Sequence, residues 1–317
     1  MDILILLFKI PARGRNDRCC HAEFSSASIL YLRTKTTDRQ KCICISGSDR
    51  MSQLFFYQVF FYVILFFMKI TPNYTVIYND DDIIVLNKRS GLLVAQDRYD
   101  PDAPRLDTQA EKEFGKLYAV HRIDKDTSGC VIYAKTAEAH RSLSMQFENR
   151  TVEKTFHCLV NGRPLWQTKT VDSKLLPDGD ARHRTTVNSK FGKPSVTDFT
   201  LTGICGPYSW IKACPKTGRT HQIRVHLQSI GLSIVCDPLY SGNQKPVRLS
   251  DIKKRWNGDT YEERPLLSRL ALHAYSLSIE HPATGERMTF TAPYQKDMEA
   301  TRKQLANIFG VDPLSQE

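Results

Sequence analysis

Residues 74–297 read as an α+β domain on a mixed, mostly antiparallel sheet. Three observations predict this class. Short apolar runs rich in Val, Ile and Tyr outnumber amphipathic helical stretches. Several of these runs adjoin through short turns, which suits antiparallel neighbours better than the long crossovers of a parallel sheet. No G-x-G-x-x-G or G-x-x-x-x-G-K-[ST] occurs, so a doubly wound nucleotide-binding architecture has no signature here.

The elements follow in order. Val76-Ile77-Tyr78 is a short strand, Asn79 to Asp82 a turn, and Ile83 to Lys88 a second strand. Ser90-Gly91 turns the chain into Leu92-Leu93-Val94. Residues 98–110 are polar and turn-rich, and read as a mobile loop. After the charged stretch His121 to Gly129, Cys130 to Lys135 is strand-like. Residues 136–148 carry Leu143 and Phe147 at helical spacing. Lys154 to Val160 is another strand, stopped by Asn161-Gly162. Residues 162–194 are polar and receive no assignment. Ser209 to Cys214 is strand-like. Thr220 is placed to cap a helix to about Ser229, with Ile223, Leu227 and Ile230 on one face and Gly231 as its stop. A closing hairpin runs from Leu272 to Ile279, turns through His281 to Gly285, and returns from Arg287 to Thr291. No internal repeat is present.

The 317 residues suffice for one large domain or two ordinary ones. Hydrophobic residues at 41% and charged residues at 25% exclude a wholly disordered chain, a collagen and a multi-span membrane protein. The net charge of +10 permits a polyanionic partner, with RNA, DNA and anionic lipid as candidates. It is unevenly spread: residues 1–70 hold 10 Lys+Arg against 5 Asp+Glu, and eight of the 15 Phe. Leu54 to Met68 is apolar except for Gln58, but is short of the ~20 residues of a membrane span. Residues 1–50 show no sustained helical or strand period. Residues 1–70 are therefore set apart as an atypical extension, with three alternatives. It is a disordered or buried segment, a membrane anchor through 54–68, or sequence upstream of a true start at Met51 or Met68. Residues 71–317 form the single folded domain. The nine cysteines have neither framework nor zinc spacing, which points to reduced thiols and a cytoplasmic protein.

Two stretches carry chemistry. In His121 to Gly129, Asp124 is flanked by Arg122 and Lys125, and a tight Thr127-Ser128-Gly129 turn feeds a strand. A carboxylate kept ionised and oriented by cations is a competent nucleophile; the competing reading is a solvated loop of salt bridges. In Lys216 to His226, a Gly-containing basic loop opens a helix, placing Lys216 and Arg219 toward phosphates. Arg224 lies a turn further in, beside Ile223 and Leu227, and a partly buried arginine needs a carboxylate partner; a basic surface helix is the alternative. H-E-x-x-H and G-x-S-x-G are missing. His221 and His226 have no acidic residue between them, so no metal site is expected.

Together these stretches resemble the RluA family of RNA pseudouridine synthases. The family's H-R-L-D-x-x-T-S-G appears as His121 to Gly129, with Ile123 for Leu and Ala134-Lys135 following the strand. T-G-R-[ST]-H-Q-[IL]-R-x-H appears as Thr217 to His226. N-K-P-S-G appears as Asn87 to Gly91 with Arg89 for Pro. G-x-P-I-x-G-D-x-x-Y appears as Gly231 to Tyr240, with Ser233 and Cys236 for Pro and Gly. Leu272-His273-Ala274 and His281 to Glu286 match the late motifs. The resemblance runs unbroken over residues 74–297.

The resemblance implies a pseudouridine synthase-like catalytic domain with a cleft, isomerising uridines of ribosomal or transfer RNA without cofactor or metal. Asp124 matches the family nucleophile. Attack on ribose C1′, abstraction of a ribose proton to a glycal, and addition to uracil C6 all stay open for it. Arg224 matches the arginine that pairs with it. Phe156, in Lys154-Thr155-Phe156, stands where the family usually has tyrosine; it can stack on uracil but cannot move a proton. Hence a catalytically impaired RNA-binding protein is the alternative function. His121, Arg122, Lys125, Thr127, Lys216 and Arg219 are expected to face RNA, and Leu272 to wall the base. A monomer is expected, with RNA as partner and membrane contact only through 54–68.

Overall fold

The computed structural model describes residues 3–8, 29–34, 73–96, 102–242 and 245–316. The chain divides into two compact units, Met1–Thr71 and Pro72–Glu317. In the first, β1 (Ile3–Phe8) runs antiparallel to β2 (Ile29–Thr34), with Ile3 opposite Thr34 and Phe8 opposite Ile29. These strands lie where the sequence showed no sustained helical or strand period. A continuous apolar run such as ILILLF has no alternation for a period-two test to detect. The anchor candidate 54–68 and the cysteines 19, 20, 42 and 44 lie outside the described residues.

The second unit begins with β3 (Tyr74–Asn79) and β4 (Ile83–Lys88). Then come α1 (Leu106–Phe114), β5 (Tyr118–Ala119), β6 (Ser128–Ala134) and α2 (Ala137–Glu148). β7 (Glu153–Asn161), β8 (Thr168–Leu176), β9 (Thr186–Val187), β10 (Lys193–Cys205) and β11 (Tyr208–Pro215) follow. α3 (Gln222–Ser229), β12 (Ser233–Ile234), α4 (Leu249–Ile252), β13 (Leu272–Glu280), β14 (Arg287–Thr291) and α5 (Lys296–Phe309) complete it. The main path through the sheet is β3-β4-β6-β13-β7-β11-β10-β8-β9, with β5 on β6, β12 on β7 and β14 on β13.

Burial explains why β4 and β6 sit inside. Every residue of both strands is buried, so both faces of this part of the sheet are covered. Side chains alternate between those faces. Ile83 and Val85 pack with Cys130, Ile132 and Leu143 of α2. Ile84 and Leu86 pack with Val131, Tyr133 and Leu106 of α1. A third core gathers Leu159, Phe199, Trp210 and the α5 residues Met298 and Leu305. Thr136 caps α2, its hydroxyl accepting from the Ala139 amide at 3.1 Å.

Three local expectations change. The loop at 98–110 gives way to α1 from Leu106, because Leu106 and Ala110 are fully buried beneath the sheet. The unassigned 162–194 supplies β8 and β9 and enters β10. Thr220 does not cap α3; the cap position is His221, at φ +53° with no side-chain cap bond.

Among the described residues, every pairing between sheet strands is antiparallel except β6 with β13, where His273 lies opposite Ser128 and Ala274 opposite Gly129. Gly129 has φ +115°, and a Cβ there would stand 2.2 Å from the Ala274 carbonyl oxygen. The Thr-Ser-Gly turn therefore needs glycine both for its backbone conformation and for the close approach of β13. This junction fixes the end of the Asp124 loop. Among the described residues no helix is long and apolar enough to cross a membrane.

Candidate active site

A cavity of about 510 Å³ opens over this junction. It brings together segments far apart in sequence: the 120–127 loop, the 215–224 loop and helix start, the end of α2, and β7 and β13.

Asp124 sits in the turn before β6, where the Thr127 amide donates to the Asp124 carbonyl at 3.1 Å. The turn is held from below. Lys88 is wholly buried, and its ammonium donates to the carbonyls of Leu92, Lys125 and Arg89 at 2.7, 2.9 and 3.0 Å. The Gly91 amide also reaches the Lys125 carbonyl at 2.8 Å, and the Ser90 hydroxyl reaches the Asp126 carbonyl at 2.6 Å. The N-K-x-S-G stretch is thus a clamp on the Asp124 loop. Burial pulls Lys88 down to about 7, against the opposing charges of Asp126 and Asp124.

The Asp124 side chain is 21% exposed and faces Arg224, whose Nη1 lies 3.5 Å from its Oδ2. His221 Nε2 is 4.0 Å from the same oxygen. Arg224 is itself held more closely by Asp237. Nε and Nη2 donate to the two Asp237 oxygens at 2.8 and 2.7 Å, with both side chains buried. Burial works against the Arg224 charge, but the Asp237 contacts outweigh it and raise the guanidinium above its ordinary value. Asp237 Oδ1 also accepts from the Leu239 and Tyr240 amides at 2.8 and 3.0 Å. The expected Arg224–Asp124 pair is therefore the looser part of a three-residue array. Asp237 anchors the fork and leaves one edge for Asp124.

Tyr240 completes this wall. Its ring lies 5.0 Å from the Arg224 guanidinium carbon, and its hydroxyl meets His221 Nδ1 at 2.9 Å. The Gln222 side chain ties the basic loop to β10. Its Oε1 accepts from Thr217 Oγ1 at 2.7 Å and the Arg219 amide at 3.0 Å, and its Nε2 donates to the Val196 carbonyl at 2.9 Å.

The remaining sequence-predicted residues divide. Arg122, Thr127, Phe156, Arg219 and Leu272 all line the cavity. Thr127 Oγ1 is buried there without a hydrogen-bond partner. Phe156 lies opposite Ala213 and Ala274 in the neighbouring strands. Lys216 lines the cavity but also pairs with Asp198 at 3.4 Å. His121 lines it as an uncharged ring: Nε2 accepts from the Ile132 amide at 3.0 Å, and the ring stacks on Phe147 at 4.7 Å. Burial, helped by Lys154, pushes this imidazole down to about 3. Lys125 is exposed and does not line the cavity; its backbone carbonyl serves the Lys88 clamp. Among the described residues no cluster of His, Cys, Asp and Glu is arranged to hold a metal.

The RNA pseudouridylate synthase family model matches residues 82–229. The dual-specificity RNA pseudouridine synthase RluA of Escherichia coli O6:H1 is 34% identical over 223 residues, covering 70% of this chain and 94% of that protein. The chain belongs to the RluA family of RNA pseudouridine synthases. Ribosomal large subunit pseudouridine synthase D of Neisseria meningitidis serogroup B is 34% identical over 230 residues, and the chain spans 59% of its length. Among solved structures, human RNA pseudouridylate synthase domain containing 1 matches with a TM-score of 0.53 and 25% identity, over 70% of this chain and 84% of that one. The α+β synthase fold expected from the sequence is the fold observed.

The synthase-family match contains Asp124, Phe156 and Arg224 but stops before Asp237, Tyr240 and Leu272. Asp237 and Tyr240 were visible as members of a motif, yet nothing local in the sequence ties them to Arg224. Lys88, Lys154 and His221 also escaped assignment as site residues.

Proposed function

We propose that this chain isomerises uridine in RNA to pseudouridine, with Asp124 as the nucleophilic carboxylate. The carrying observation is the array at the cleft: Asp124 beside Arg224, which the buried Asp237 holds by two hydrogen bonds. In the reaction the N1–C1′ bond breaks and C5–C1′ forms. The proton on C5 leaves to solvent and N1 gains one, so no oxidant or cofactor is needed. Asp124 attacks C1′, abstracts a ribose proton to give a glycal, or adds to uracil C6; each route uses the same oriented carboxylate. Arg224 and Asp237 keep it aimed at the base, which must leave its stack to enter the cleft. Phe156 and Leu272 supply apolar surface for the uracil ring, and Arg122, Lys216 and Arg219 face the RNA backbone. Ribosomal and transfer RNA are the substrate classes. The chain acts as a monomer; the five free cysteines among the described residues suit the cytoplasm.

Tritium release from RNA carrying 5-tritiated uridine tests this reading. Asp124→Asn is expected to lose about 10⁴-fold or more of turnover, the scale of removing a nucleophile, with its unfolding curve unchanged. Full activity in that variant overturns the nucleophile assignment. A second reading, favoured by Phe156 in the cleft, is an RNA-binding protein of impaired turnover. On that reading Phe156→Tyr raises turnover by at least about tenfold, the lower end of a positioned proton-transfer group. An unchanged rate assigns Phe156 to stacking alone.

A further inference from the structure

Lys154 and Arg150 form a second cationic group in the cleft, away in sequence from the basic loop at 216–219. Both line the cavity. Neither side chain has a hydrogen bond or ion pair among the described residues. Lys154 is half-buried, on the same strand face as Phe156 two residues on. Its ammonium is pulled below the ordinary lysine range, first by burial and then by the neighbouring charge of Arg150. Arg150 follows the end of α2 in the left-handed region, at φ +61°, an unfavourable conformation for a non-glycine residue.

The carboxylates nearby do not neutralise the pair. Glu153 is turned to Arg287, at 2.9 Å. Glu148 lines the cavity but is exposed and makes no ion pair among the described residues. By contrast, Lys216 in the other cationic group is already paired with Asp198. Among the described residues neither cation is paired; Lys154 is half-buried and its charge is only partly screened from that of Arg150, so a ligand anion between them would offset the repulsion. The aromatic surface beside them, Phe156 and the stacked His121–Phe147 rings, is neutral and supplies no anion.

We propose that Lys154 and Arg150 form a phosphodiester-binding subsite that holds the backbone of the RNA strand whose uridine enters the cleft. This rests on the pseudouridine synthase reading and adds to it a specific phosphate contact. Lys154 supplies a compact point charge at the strand, and Arg150 a planar fork at the rim. The strand is thus gripped on the α2–β7 side as well as at the 216–219 loop.

The test is binding of a short fluorescein-labelled RNA stem-loop with one loop uridine, read by anisotropy across a salt series and independent of turnover. Lys154→Met and Arg150→Met are each expected to weaken binding about 3- to 10-fold and to lower the log–log salt slope by about 0.7–0.9, the value of one lost phosphate contact. Lys154→Arg should keep the wild-type slope. Replacing linkages one at a time by neutral methylphosphonates should reveal one position whose neutralisation erases the difference between wild type and Lys154→Met. Wild-type slopes in both Met variants, with thermal unfolding unchanged, overturn the subsite. If wild type isomerises the uridine while the variants retain its slope, the subsite alone falls. If wild type neither binds nor isomerises any RNA, both readings fall.

Discussion

Arg224 is shared unequally by two carboxylates, and the difference in burial sets what each is worth. Asp237 is completely buried and bonded through both oxygens, so removing it strands a guanidinium that is only 2% exposed. Asp237→Ala is expected to cost about 3–5 kcal/mol of stability, as for other broken buried pairs. Chemical denaturation measures it, and a loss below about 1 kcal/mol would show that the pair does not anchor this wall. Asp124 is partly exposed and 3.5 Å from its cation, so Asp124→Asn should change stability by no more than about 1 kcal/mol. One variant then separates folding from turnover. The sequence showed that Arg224 needs a carboxylate and pointed to Asp124 for it; Asp237 stood in a separate motif with nothing to link it to the arginine. Which one holds it depends on contacts spanning 13 and 100 residues, which local spacing does not report.

At the level of elements, the decisive joint is β6 against β13. The Thr127-Ser128-Gly129 turn is legible as a turn, but only the parallel pairing to His273 and Ala274 shows why its last residue must be glycine. Gly129→Ala is expected to cost about 2–4 kcal/mol, because backbone atoms cannot retreat from a Cβ as a flexible side chain would. Differential scanning calorimetry should find a fall of roughly 5–15 °C. An unshifted transition would mean that β13 can move aside. Ser128 is tied into the same joint, its hydroxyl meeting His273 Nδ1 at 2.9 Å and accepting from Arg269 Nη1 at 3.2 Å. Arg269 is in turn gripped by Asp297 of α5 at 2.7 and 2.8 Å. The C-terminal helix thereby braces the Asp124 loop. α1 was missed for a related reason: its sequence is polar, and two fully buried positions, Leu106 and Ala110, are too few to show a helical stripe.

Across the whole molecule, histidines withdrawn from water link stability to pH. Burial pushes His121 and His273 down to about 3 and His226 to about 4, from the ordinary 6.5. The unfolded chain binds more protons than the native one between those values and 6.5, so stability rises with pH through that window. It should be fully present above about pH 6.5 and fall on acidification by up to about 1.4 kcal/mol per pH unit for each histidine. Urea midpoints between pH 7 and 5, above the carboxylate range, measure this. A flat profile would show that these rings are not held neutral. The net charge, by contrast, says little at this scale. Half of the excess of +10 lies in residues 1–70, and the cleft's polarity comes from where a few lysines and arginines fall.

The sequence by itself determined the inventory of the site: a carboxylate between cations, an arginine set in an apolar helix, and phenylalanine where the family usually has tyrosine. It also determined the sheet-rich class, because strand and turn preferences are local. Only the tertiary structure decided that Asp237 anchors Arg224, that Lys88 is buried beneath the Asp124 loop, and that Lys154 and Arg150 share the cleft with no counter-ion among the described residues. Those outcomes depend on distance and exclusion of water, and both are set by the register of strands that lie far apart along the chain.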